Sequence, residues 1–133
     1  RPTNGYVSNF IGVANLLEAR VVEVTAPGRG EVEIAEGEQR VRLPCNLGDG
    51  IAEGAEAILS VRPENVEASR ENGGGACLEG EVLQVIFLGN CVDCRVRWGG
   101  FEWKVLTHPR MRLKKGEKVY LRPDPEHSLA VAP

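Results

Sequence analysis

The sequence is poor in aromatics (5%) and holds one methionine and two histidines. No stretch approaches the roughly 18 apolar residues of a membrane-spanning helix, so no helical span is expected. Arg1-Pro2-Thr3-Asn4-Gly5 contains no apolar core, so no secretory signal is legible. There is no initiator methionine, and the expectation is an excised piece or a mature terminus. The chain has no phosphate-cradling G-x-x-x-x-G-K-[ST] segment. Gly48-Asp49-Gly50 opens like a dinucleotide fingerprint, but Glu53 stands at its last glycine position and no βαβ context surrounds it. There is no nucleophile elbow, and neither His108 nor His127 has the context of a triad. Glu31, Glu33, Glu36 and Glu38 alternate along a hairpin, which reads as a solvated face. No catalytic, cofactor-binding or metal-ligating residue is assigned.

Four cysteines are present: Cys45, Cys77, Cys91 and Cys94. Cys91-Val92-Asp93-Cys94 has C-x-x-C spacing, but a tetrahedral zinc site needs a second, similar half, and none exists. The motif also lies in a strand-like run, where residues three apart point to opposite faces. A redox C-x-x-C opens a helix, and none follows. Reduced thiols in a cytosolic protein are expected.

What is abundant is turn chemistry: 16 glycines and 8 prolines in 133 residues. One helix is predicted, over residues 4–12, with Val7, Phe10 and Ile11 on one face, Asn4 as N-cap and Gly12 as its stop. After Leu17 the pattern is that of strands. Glu31-Val32-Glu33-Ile34, Gln39 to Leu43, Glu56 to Arg62, Glu79 to Leu88, Val92 to Trp98, Phe101 to Leu106, Lys118 to Arg122 and Ser128 to Ala132 are each bounded by glycine or proline. From Arg95 to Arg122 nine basic residues face only Glu102 and Glu117, in a chain of net charge −3. Such asymmetry marks either a docking surface or a solvated face.

The strand series is written twice. Leu17-Glu18-Ala19-Arg20-Val21 aligns with Leu78-Glu79-Gly80-Glu81-Val82 at an offset of 61. Glu53-Gly54 aligns with Lys115-Gly116, and the strand after each glycine ends in Arg-Pro, at Arg62-Pro63 and Arg122-Pro123. A repeated unit of this size is a duplicated supersecondary structure. The expected fold is all-β: a duplicated five-stranded barrel of the oligonucleotide/oligosaccharide-binding (OB) type with a short N-terminal linker helix. The linker is placed at residues 1–16 and the β domain at 17–133, with halves at about 17–70 and 78–133.

Three segments resemble a known family. Phe10-Ile11-Gly12 with Asn15 resembles the F-I-G-x-x-N-x-L segment that follows the nucleotide-binding domain in ABC-importer ATPase subunits. Arg62-Pro63-Glu64 resembles their R-P-E segment, and Phe87-Leu88-Gly89 their F-L-G segment. Together they are similar to the C-terminal transport-associated OB (TOBE) domain of the spermidine/putrescine and iron importer group. The resemblance implies a regulatory and dimerising module of an ATP-binding subunit, cytoplasmic and peripheral on the inner face of the membrane. Its implied partners are an upstream ATPase domain, a second copy of the subunit and the permease; ATP and Mg would belong to the parent, and this piece would not hydrolyse ATP. Phe10, Ile11, Gly12, Asn15, Arg62, Pro63, Glu64 and Gly89 are the implied interface or structural positions. Arg62 and Glu64 are expected to satisfy each other or the turn, and Phe87-Leu88 to pack in the core with Gly89 in a turn.

Two other readings stay open. One is a small-ligand or oxyanion sensor with a cleft between the repeats. The other is single-strand nucleic-acid binding, with Trp98, Phe101 and Trp103 as stacking platforms beside Arg95, Arg97 and Lys104. The net acidity leads us to expect no nucleic acid.

Overall fold

The computed structural model describes residues 13–133. The helix predicted at 4–12, with Phe10, Ile11 and Gly12, lies outside them. Ten strands follow: β1 (Asn15–Ala26), β2 (Arg29–Glu36), β3 (Gln39–Leu47), β4 (Glu56–Val61), β5 (Val66–Ser69), β6 (Leu78–Phe87), β7 (Val92–Trp98), β8 (Phe101–Thr107), β9 (Lys118–Pro123) and β10 (Ser128–Val131). β1 starts at Asn15, so residues 15 and 16 belong to the barrel and not to the linker drawn at 1–16. The alternation of buried and exposed residues begins there, with Asn15 and Leu17 inside and Leu16 outside.

The duplication is visible strand by strand. β1 pairs with β4 at Leu17↔Leu59, and β6 pairs with β9 at Leu78↔Leu121. Both first strands carry a bulge, between Val21 and Glu23 in one half and Val82 and Gln84 in the other. The Val21 amide donates to Ala55 O and the Val82 amide to Glu117 O, both at 2.9 Å. A bulge adds local twist, which coils each first strand around its barrel.

Two features depart from the sequence reading. The repeat halves are not self-contained. β5 pairs with β9 of the second half, and β10 pairs with β4 antiparallel and with β3 in parallel in the first. Each half thus donates its last short strand to the other. The Arg-Pro alignment is also out by two. The structural counterparts are the 3-10 turns Pro63–Asn65 and Pro125–His127, which place Pro63 opposite Pro125 and Arg62 opposite Asp124. These turns carry the chain across from one barrel to the other.

The first half closes, in the cyclic order β1-β2-β3-β10-β4; the second is a five-stranded sheet in the order β5-β9-β6-β7-β8, left open among the described residues. The buried apolar side chains of both halves, Val21, Val32 and Leu59 in the first and Val82, Val96 and Leu121 in the second, form one continuous core. Each such fully buried side chain contributes about 1.5–3 kcal/mol. Trp98 and Trp103 are buried in the second, with Phe101 set edge-on to Trp103 at 5.6 Å. The alternative that would use Trp98, Phe101 and Trp103 as stacking platforms loses both tryptophans, because alternation along β7 and β8 turns them inward. The hairpins of the two halves meet at Gly99, whose φ is +59° and where a Cβ would lie 2.4 Å from Glu36 O, so only glycine fits.

Candidate functional site: the seam between the barrels

The crossing turns create two related seams, the first turn packing on β8 and the second on β3. At one of them Asn15 is fully buried. Its Nδ2 donates to Val61 O (3.1 Å) and Lys104 O (2.9 Å), and its Oδ1 accepts from Lys104 N (2.7 Å). The amide therefore imitates a strand neighbour and fastens β1 of the first half to β8 of the second. Trp103 packs beside Lys104 in the same strand.

The other seam has different residues at the same places. Ala76 stands where Asn15 does, Leu43 where Trp103 does, and Pro44 where Lys104 does, as the register of β3 against β2 and of β8 against β7 shows. Pro44 has no N–H, so an asparagine at 76 would find no backbone donor there. Smaller side chains and a missing clamp leave a cleft of about 680 Å³. Its floor is Leu43, Pro44 and Val66; its rim is Glu64, Glu67, Gly74 to Ala76, Arg122 and Asp124.

Electrostatics on this rim are acidic. Arg62 Nε donates to Glu64 Oε2 at 3.0 Å. Partial burial pushes the Glu64 carboxyl up, but Arg62 and the backbone outweigh that and hold it below its usual value. Asp124 is held low by His127, 2.8 Å away, and by the Glu126 amide. Arg122, the one cation on the rim among the described residues, donates to Gly74 O at 3.0 Å. Three carboxylates thus share the rim with one guanidinium already engaged with the backbone, and one of the three, Glu64, is paired with Arg62.

The other implied positions fall elsewhere. Pro63 is buried and opens the first crossing turn. Gly89 lies in the β6–β7 hairpin with φ +101°, remote from the cleft's lining. Phe87 and Leu88 are not core residues: they are 66% and 54% exposed, because β6 runs past the end of its barrel. The basic stretch is dispersed, and three of its nine cations are held in ion pairs. Arg95 meets Asp93 and Glu102, Arg97 meets Glu81, and Lys118 meets Glu79. Its densest part is the loop after β8, with Arg110, Arg112, Lys114 and Lys115. Arg70 pins that loop, pairing with Glu117 and donating to Met111 O at 2.7 Å. Cys91 is half-buried, whereas Cys94 and Cys45 are buried; burial raises both buried thiols, Cys45 to about 11. All four thiols are unpaired.

The sequence reading left a cleft between the repeats open as an alternative, but of its rim it singled out only Glu64; Arg122 was read as a strand end and residues 70–75 as a surface loop. The available signal was a mismatch inside the duplication, Asn15 and Lys104 against Ala76 and Pro44.

Residues 59–131 match the family of the TOBE domain. The chain is 33% identical over 140 aligned positions to the spermidine/putrescine import ATP-binding protein PotA of Frankia alni, covering 96% of this chain and 30% of that protein. It is 30% identical over 142 positions to PotA of Methylococcus capsulatus, covering 95% and 36%. PotA 1 of Pseudomonas aeruginosa is 33% identical over 97 positions, covering 73% and 25%. The chain therefore spans only 25% to 36% of the length of these relatives. Among solved structures it is similar to the molybdate-bound form of the cytoplasmic molybdate-binding protein ModG, with a TM-score of 0.73, 16% identity, and 90% and 96% of the two chains covered. At that identity the likeness concerns the fold alone.

Proposed function

The chain belongs to the TOBE domain family, and from that premise we propose that it is the regulatory and dimerising module of the ATP-binding subunit of an ABC importer for polyamines or a related solute. The carrying observation is the alignment with polyamine-import ATP-binding proteins over nearly the whole chain. Physically, the exchange of β5 and β10 makes the two barrels one body, because neither can leave without losing a strand. A rigid body of this kind can hold two ATPase subunits in register while their nucleotide sites open and close. The parent would supply ATP, Mg and the permease contact, at the cytoplasmic face of the membrane. The reading is tested by the reading frame upstream of Arg1. A P-loop ATPase domain there is expected, and its absence overturns the reading. Purified chain should show no ATP turnover above a matched blank, since it has no phosphate-cradling loop.

The cleft favours a second reading, a ligand-sensing module. Glu64, Glu67 and Asp124, sharing the rim with an engaged Arg122, suit a cationic or hydrogen-bond-donating ligand better than an oxyanion. Titration calorimetry with molybdate, sulfate and spermidine separates the cases. Heat with molybdate or sulfate would contradict this electrostatic reading, and no heat with any of the three would remove ligand sensing of these kinds.

A further inference from the structure

The last part of β6 is explained neither by the core nor by the seam. β9 pairs with β6 only over Leu78–Glu81. From Gln84 to Phe87, β6 is held on one side, by β7, and no described strand lies on the other. The bond from Leu88 N to Cys91 O sets the alternation of this hairpin. The amides of Val85 and Phe87 then point away from β7, along the open edge. Val85, Ile86, Phe87 and Leu88 are all exposed. From Val82 to Val92 there is no charged residue.

An open apolar edge is a template for another strand, and monomeric proteins protect such edges with charge, proline or cover. The matching arm of β1 is protected. Its Glu23 sits on the equivalent stretch and pairs with Arg42. Among the described residues the β6 arm has no such device.

We propose that this arm is a self-docking edge, on which two copies of the chain pair β6 against β6 antiparallel about a two-fold axis. The proposal rests on the reading above that the domain brings twin subunits together, and it names the contact. Val85 and Phe87 of each copy would exchange main-chain hydrogen bonds, while Phe87 and Leu88 pack across the seam. A second copy suits this edge for two reasons. Pairing an uncharged run with itself sets no like charges opposite each other, the usual penalty of self-association. A two-fold antiparallel contact is also isologous, so one surface supplies both sides. Its size fixes its strength. A handful of residues on each side falls well short of the roughly 20–30 a side of a standard interface, so the contact alone is weak and reversible. That suits subunits also held together elsewhere.

Sedimentation velocity of the 133-residue chain, up to millimolar concentration, tests this. The wild type should show a rising average mass, with slower hydrogen exchange at the Val85 and Phe87 amides as concentration rises. Added salt should not weaken association, because no charge pair carries it. Phe87→Asp should weaken it by about tenfold or more, since each copy would bring an unpaired carboxylate into an apolar contact. Phe87 is exposed, so the variant should melt as the wild type does. Val24→Asp, on the other arm, should associate normally. A wild type that stays monomeric throughout overturns the proposal, as does association indifferent to Phe87→Asp. Phe87-dependent sedimentation with anionic vesicles, without self-association, overturns it too. None of these outcomes bears on the upstream reading frame, so the module reading stands or falls separately.

Discussion

The two halves of this molecule share one plan and differ at a few positions that matter. Both have a bulged first strand, a closing strand with the same burial rhythm, and a crossing 3-10 turn opened by proline. They differ at the seam, where Asn15, Trp103 and Lys104 close one side while Ala76, Leu43 and Pro44 leave the other open. They differ again at the arms, charged on β1 and apolar on β6. The shared parts are those a five-stranded barrel requires. The differing parts lie where the barrel has spare surface, and that is where a duplicated fold can acquire a cleft and a contact edge without losing its core.

The largest break in this comparison should come from Trp103. It is fully buried, so Trp103→Ala leaves a large cavity at the closed seam, and a loss of about 3–5 kcal/mol is expected in urea unfolding. Leu43→Ala removes the equivalent residue beside an open cleft, where water can enter, and should fall at the low end of about 2–5 kcal/mol. Equal losses would mean that the two seams are packed alike and that the cleft does not soften its own wall.

Asn15 gives a smaller and more specific effect. Asn15→Ala strands the Lys104 amide and two carbonyls in a buried place, at a cost of about 1–3 kcal/mol. The converse change, Ala76→Asn, should bring no stability, because Pro44 offers no N–H to meet it. A stabilised Ala76→Asn would show that the open seam can be clamped by some other group and would weaken the account of why it is open.

Much of this comparison was legible in the residues. Leu17 and Leu78, with the valines after them, fixed the duplication because barrel interiors impose a strict alternation. The Arg-Pro anchor misled by two positions, since proline stands at Pro63, Pro123 and Pro125 and only the turn geometry tells which are equivalent. The strand exchange was not legible: β5 and β10 have four residues each, and nothing within four residues says which sheet they join. Val85 to Leu88 reads as core because an apolar run carries no mark of whether its barrel extends that far. Asn15 was picked out as a position by its motif, but its buried clamp depends on Lys104, 89 residues away.

The smallest expected effect concerns the open barrel's extra tie. Arg70 follows β5 and holds Glu117 together with the carbonyls of Met111 and Arg112. The equivalent places in the closed half are Ala132 and Ala55, so that half has no such pair. Hydrogen bonding by Arg70 holds the Glu117 carboxyl below its ordinary value of 4.5. A carboxylate depressed in the folded state stabilises the fold fully above that ordinary value. The stabilisation then disappears as pH falls through the lower, folded-state value. Urea midpoints of wild type and Arg70→Ala should therefore differ at neutral pH and draw together in acid. They should not meet completely, because Arg70 remains charged and keeps its bonds to the two carbonyls. Both partners are exposed, so the difference is that of a surface pair and shrinks with salt. A gap that stays constant from neutral pH to acid would place the whole effect in the carbonyl contacts. The tie would then be a loop clasp independent of the Glu117 charge, and the open half would owe none of its stability to the ion pair that its closed counterpart lacks.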